Sequence, residues 1–316
     1  MGKSIVLSFS NGLGNFILLS PTIAALQDNG WDVDILLGSH SSDARRKELE
    51  IIINSYDRSI GFYDKFKKYD EAFYVWGEPR EVPEDIHWKI NKEAKKPVKY
   101  FLDGMHEVQL NFKIAEYLGA DNQSISKLYC PKNVFSDGRF DSRKINVGIH
   151  IGSRPEIWWQ KKRWNNQYWI DLMAMMTESY QNIDFHLFAS EWEKDDCDVI
   201  FKKSKSSIHT YSHLNLTEVA YLISRCNLMI TTDSVPLHIA AAVETPVLQL
   251  FGCTIPSKNS AWKAKGEVIM SDLDCQPCLY QMNFKSCTSN ICMDKILPEM
   301  VLEKVFDWMP VEANAV

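Results

Sequence analysis

Three groups of residues have types and spacings that could do chemistry. Asp233-Ser234-Val235-Pro236 joins the apolar run NLMITTDS (227–234) to PLHIAAAVET (236–245), the pattern of a strand turning into a helix. At such a turn unpaired N–H groups and the positive end of the helix dipole converge, and an anion such as phosphate is stabilised there. Pro236 suits the first helical position, which puts Ser234 and its neighbouring amides at the anion and His238 in the first turn. The plain alternative is a capped turn with Asp233 and Ser234 as caps. Lys162-Arg163-Trp164 forms the second group, set just before another helical pattern. A lysine there could neutralise a phosphate, although a KKR triplet also fits a solvated basic loop. The third group, Cys275, Cys278, Cys287 and Cys292, has the spacing C-x2-C-x8-C-x4-C. Paired thiolates so spaced suit a tetrahedral zinc or iron site; reduced thiols packed in a loop are the competing reading.

These groups need elements to hold them. KSIVLSF (3–9), the glycine turn GLGN (12–15), the helical pattern of 16–30 and VDILLGS (33–39) make a strand–helix–strand opening, with a parallel sheet as its natural outcome. Residues 40–100 are polar, and 81–100 is the least regular stretch. HEVQLNFKIAEYLGA (106–120) reads as an amphipathic helix closed by Gly119. The turn-rich segment 136–144 is the best place for a domain boundary. Beyond it come a strand (145–153), a helix (165–180), a strand (183–190), a helix (216–226) capped by Asn215 or Thr217, and the strand–helix–strand of 227–252. The expected fold is therefore α/β, with two doubly wound Rossmann-like domains and a cleft between them. The first spans 1–140 and the second 145–298, and 299–316 holds a final helix that could pack back on the first domain.

With 316 residues the chain suits two cores rather than one. Its net charge of −6 gives no basic footprint for nucleic acid. The N-terminus lacks the unbroken apolar core of a signal peptide, and no span is long enough to cross a bilayer, so a cytoplasmic protein is expected. Its eight cysteines are then thiols rather than a disulfide framework.

GLGNFILLSPTIAAL (12–26), HEVQLNFKIAEYLG (106–119), GIHIGS (148–153) with KKRWNNQYWIDL (161–172), TTDSVPLHIAAAVETPVLQLFGCTIP (231–256) and the cysteine series resemble motifs of glycosyltransferase family nine. They occur in that family's order, from residue 3 to about 305. The resemblance implies a GT-B fold and inverting transfer from a nucleotide diphosphate sugar, ADP-heptose first. The implied acceptor is a hydroxyl of lipopolysaccharide or another surface glycan, met at the cytoplasmic face of the membrane. It places the donor in the C-terminal domain, with Lys162 neutralising the leaving diphosphate and Ser153, Asp233, Ser234 and His238 around it. Glu193, or Glu191 in a shifted register, would meet the ribose. Gly12, Gly14 and Asn15 would form the acceptor loop. Transfer needs no divalent ion, and a metal at the cysteines would be structural.

Two departures stand out. Val235 replaces a glycine of the family pattern. Asn15 replaces the aspartate that takes the acceptor's proton, and an amide cannot do that. Asp103, His106 and Glu107 are the replacement bases within reach in sequence. A catalytically degenerate sugar-nucleotide binder, a transferase acting on protein hydroxyls and a nucleotide-sugar 2-epimerase are the other readings, the last lacking its paired carboxylates.

Overall fold

The computed structural model describes residues 2–9, 12–37, 43–56, 58–75, 89–90, 104–121, 125–135, 137–152, 160–279 and 287–309. The chain forms two compact units, Met1–Lys132 and Asn133–Val316.

The first unit contains β1 (Lys3–Phe9), α1 (Leu13–Asp28), β2 (Trp31–Leu37), α2 (Asp43–Asn54), β3 (Gly61–Phe62), β4 (Glu71–Tyr74), β5 (Lys89–Ile90) and α3 (Glu107–Tyr117). Its strands are all parallel, in the order β3-β2-β1-β4-β5. The chain thus builds outward from β1 to one side, then reverses and adds β4 and β5 on the other. β1 is an apolar run because both of its faces are covered. α1 is buried at every position from Phe16 to Ile23, and Asn111 of α3 donates to the Leu18 carbonyl at 3.4 Å. Gly30, at φ +80°, turns the chain from α1 into β2.

The second unit contains β6 (Ile145–His150), α4 (Asn166–Ser179), β7 (Ile183–Phe188), a 3-10 turn (Glu191–Glu193), α5 (Lys194–Lys203), β8 (Ile208–Tyr211) and α6 (Leu216–Ile223). It continues through β9 (Leu228–Thr232), α7 (Val235–Ala242), β10 (Val247–Phe251), α8 (Pro256–Asn259), β11 (Gly266–Met270), α9 (Ile291–Asp294) and α10 (Pro298–Trp308). The parallel order is β11-β10-β9-β6-β7-β8, so here the reversal lies between β6 and β9. Every residue of β7, β9 and β10 is buried. Asn215 caps α6 in a reciprocal box with Glu218. The last helix falls within this unit, where α10 packs on α4 and Trp308 Nε1 donates to Glu267 at 3.4 Å.

The segment expected to hold the boundary belongs to the second unit. Arg139 donates to the Thr210 carbonyl at 2.9 Å and lies over the Tyr211 ring at 4.1 Å. Phe140 stacks on the fully buried His186 at 4.1 Å between centroids. Asn146 spends its amide N–H groups on the Asp141 and Lys144 carbonyls, so its Oδ1 accepts from His186 Nε2, and His186 Nδ1 accepts from the Tyr211 hydroxyl. The neutral ring is satisfied on both sides.

Burial pushes His186 down to about 3 and also lowers His150, whose Nδ1 donates to the Phe188 carbonyl at 2.7 Å. Both values fall below the ~6.5 of a free histidine. The stability they contribute is therefore complete above that pH and is lost as pH falls below it, by about 1.4 kcal/mol per pH unit for His186. The urea midpoint is expected to drop between pH 7.5 and pH 5, and less steeply in His186→Phe. Equal midpoints at the two pH values would contradict this account.

Candidate active site

Ligands of open parallel sheets bind outside the carboxyl ends of the strands where the winding reverses. In the second unit that place is the end of β6, with Gly152, and the end of β9, with Asp233 and Ser234. Thr232 Oγ1 donates to the Gly152 carbonyl at 3.1 Å and so ties the two strand ends together. Ser234 is the N-cap residue of α7, but its hydroxyl donates to the Thr232 carbonyl at 3.2 Å rather than capping the helix. Val235 rather than Pro236 is the first helical residue. Its φ is not positive, so the replaced glycine was not needed for backbone conformation. His238 is buried in the first turn.

Lys162 reaches this turn. Its Nζ donates to Asp233 Oδ2 at 2.8 Å and to the Asp233 carbonyl at 3.4 Å, with the two side chains only 14% and 7% exposed. Asp233 is thus an ion-pair partner and not the cap that its position in sequence suggests. The residues after Lys162 hold it in place. Arg163 Nη1 donates to Asp196 at 2.7 Å, and Asn166 Nδ2 donates to the same carboxylate at 2.8 Å. Trp164 is buried edge-on against Trp169, with its Nε1 donating to the Ile296 carbonyl at 2.7 Å. Asn165 caps α4 by accepting from the Gln167 N–H. The KKR triplet is therefore a built segment and not a solvated loop.

Glu193 lies beside it but faces inward. Its Oε2 accepts from the Ser190 N–H at 2.8 Å and from the Ser190 hydroxyl, and its side chain packs beneath Gly152. Glu193 is buried, whereas Glu191, the alternative for the ribose, is exposed. Ser153 lies outside the described residues.

In the first unit the reversal lies between β1 and β4, and Gly12, Gly14 and Asn15 stand at that end of β1. Gly12 is the N-cap of α1 and Asn15 its third residue. Asn15 Nδ2 donates to Glu107 Oε1 at 2.6 Å. Of the replacement bases, His106 is the N-cap of α3, its Nδ1 accepting from the Val108 N–H at 3.2 Å. Glu107 is 1% exposed, and Asp103 lies outside the described residues.

The four cysteines of the series share one neighbourhood. Cys278 is pushed up by burial and by Cys287 and Cys275, whereas the Asn290 and Ser289 N–H groups and Lys161 hold Cys287 below its usual value despite burial. Cys278 and Leu279 donate their N–H groups to the Cys253 carbonyl, and Asn290 Nδ2 donates to the Arg163 carbonyl at 3.1 Å. Among the described residues no three histidines, cysteines or carboxylates stand close enough to hold a metal. This loop buttresses the Lys162 segment, a role that the thiol spacing did not suggest; neither the Arg163–Asp196 pair nor the Trp164 anchor had a sequence signal beyond their place in the motif.

Both units are parallel and doubly wound, and the second holds a lysine at the start of a helix. The profile of glycosyltransferase family 9 (heptosyltransferase) matches residues 88–288, and the chain belongs to that family and is a glycosyltransferase. It is 25% identical to the lipooligosaccharide heptosyltransferase 2 of Campylobacter jejuni, over 92% of this chain and 94% of that protein. A glycosyl transferase family 9 structure from Veillonella parvula superposes with a TM-score of 0.73 at 17% identity, covering 97% of each chain. The E. coli ADP-heptose lps heptosyltransferase II gives a TM-score of 0.66 at 16% identity, covering 97% of this chain and 98% of that one. The fold is that of these GT-B enzymes.

A Cβ at Gly152 would stand 2.0 Å from Glu193 Cγ, whereas one at Gly138 would meet nothing within 4 Å. Gly152→Ala is expected to cost about 1–3 kcal/mol in urea unfolding by overpacking, with Gly138→Ala nearly neutral. Equal stability of the two variants would mean that Glu193 does not pack there.

Proposed function

We propose that the protein is an inverting heptosyltransferase that moves heptose from ADP-heptose to a hydroxyl of a lipopolysaccharide or lipooligosaccharide core, at the cytoplasmic face of the membrane. The observation that carries this reading is Lys162 Nζ held 2.8 Å from Asp233 at the start of α7. The donor diphosphate would lie against the first amides of α7, beside Ser234, with Lys162 supplying the opposite charge. As the anomeric C–O bond to the diphosphate breaks and the bond to the acceptor oxygen forms on the other face, the hydroxyl proton passes to water and negative charge grows on the leaving group. A fixed cation and a helix N-terminus stabilise that growth without reorganising. The acceptor would be held by the first unit near Gly12, Gly14 and Asn15. The names of the C. jejuni and E. coli relatives support the heptose and the glycolipid acceptor.

ADP-heptose is expected to raise the melting temperature, because it binds only the folded state, while GDP-, UDP-, CDP- and dTDP-sugars leave it unchanged. Lys162→Ala should lower turnover on truncated lipooligosaccharide about 10²–10³-fold, the range for losing one preorganised charge contact. The double variant Lys162→Ala/Asp233→Asn removes the buried charge left over and serves as the folding control. Failure of all five donors to shift the protein would refute the reading and favour a degenerate member of the family.

Because Lys162 and α7 supply the leaving-group stabilisation, we propose that transfer needs no cofactor and that the cysteine loop serves only to support Lys162. Turnover should survive dialysis against EDTA and phenanthroline; a loss that zinc or iron restores would place a metal in the working enzyme.

A further inference from the structure

We infer that Glu107 is a positioning residue that turns the side-chain carbonyl of Asn15 toward the acceptor hydroxyl. This rests on the proposed function for the identity of the acceptor. Asn15 stands at the carboxyl end of the central strand β1, beside the point where the sheet reverses. Among the described residues its side chain makes one hydrogen bond, Nδ2 to Glu107 Oε1 at 2.6 Å. The amide thus presents its N–H end to the carboxyl group of Glu107. Oδ1, set about 120° from Nδ2 by the planar amide, is then the group that faces away from Glu107. Asn15 is half-buried and Glu107 is only 1% exposed.

The carboxyl group is held in place. Glu107 is the first residue of α3, where the helix dipole favours negative charge. The amide of Asn15 meets one of its oxygens, and Asn111 ties α3 to α1 one turn further on. The orientation has a chemical consequence. An attacking hydroxyl must direct its O–H away from the lone pair that forms the new bond. A carbonyl oxygen accepts that O–H, whereas a flipped amide would donate to the oxygen and occupy the lone pair.

The test is a cycle of Glu107→Gln, Asn15→Asp and the double variant Asn15→Asp/Glu107→Gln. Glutamine can present either end to Asn15, so Glu107→Gln should lower kcat on truncated lipooligosaccharide about tenfold, leave KM for ADP-heptose unchanged and keep the melting temperature. Asn15→Asp sets two carboxylates one hydrogen bond apart and should lose more. The double variant reverses the pair, with amide inside and oxygen acceptor outside, and should recover turnover to within about threefold of the parent. A double variant showing the product of the two single losses, or a Glu107→Gln enzyme with unchanged kcat, would overturn the inference. If the parent itself transfers no heptose, the functional reading has failed. The pair is then judged by NMR of the ¹⁵N-labelled full chain: an Asn15 side-chain N–H proton shifted downfield in the parent and relaxed in Glu107→Gln supports the fixed orientation, and no difference overturns it.

Discussion

The second unit depends on a cation and an anion removed from water together. Lys162 and Asp233 are mostly buried, and each loses hydration worth several kcal/mol. Attraction between them offsets that cost only while the geometry holds. A surface lysine with four free torsions would not hold it, so the neighbouring residues supply the rigidity. Trp164 wedges against Trp169 and bonds to the Ile296 carbonyl, Arg163 is fixed to Asp196, and Asn290 holds the Arg163 backbone. Asp233 is placed from the other side, because β9 pairs with β6 and hands the chain directly to α7. The ion pair therefore joins the strand reversal, the start of α4 and the cysteine loop.

The same pair would suit the unit to the proposed diphosphate. Without Lys162, Asp233 would repel a phosphate brought to the start of α7; with it, the local charge is balanced and the dipole of α7 adds a positive end. The backbone at Gly152 comes close because Glu193 packs where a side chain would have been, and Glu193 is kept inward by Ser190. A small residue at 152 and a buried carboxylate at 193 are two sides of one packing decision.

Much of this was legible in the sequence. Apolar runs of strand length, separated by helical periods and glycine turns, announced parallel sheets, and the Asp-Ser-x-Pro turn and the lysine before α4 are where their patterns indicated. What was not legible was partnership. Asp233 looks like a cap by position, yet its partner lies 71 residues away. His106 has the residue type of a base, yet its ring caps α3. The boundary falls before residue 133 because Arg139 and Phe140 stack on β7 and β8, contacts that a turn-rich composition conceals. Side-chain pairs across long separations leave no period in the chain, and burial decides their protonation only after the fold has formed.

Asn15 illustrates the point most sharply. Read alone, an amide where a base is expected suggests lost activity. Set against Glu107, the amide is the side chain that a buried carboxylate requires. Coulomb repulsion between two carboxylates one hydrogen bond apart would force one of them to hold a proton, so the negative charge can stand at 107 or at 15 but not freely at both. In this chain the carboxyl group stands at 107, at the start of α3, and the amide at 15. The two units then present opposite characters at their strand ends. Under the proposed function, the second would offer N–H groups and a cation to growing negative charge, and the first a carbonyl oxygen to a hydroxyl hydrogen. A transfer in which the acceptor gives up a proton while the donor's leaving group gains charge calls for that polarity.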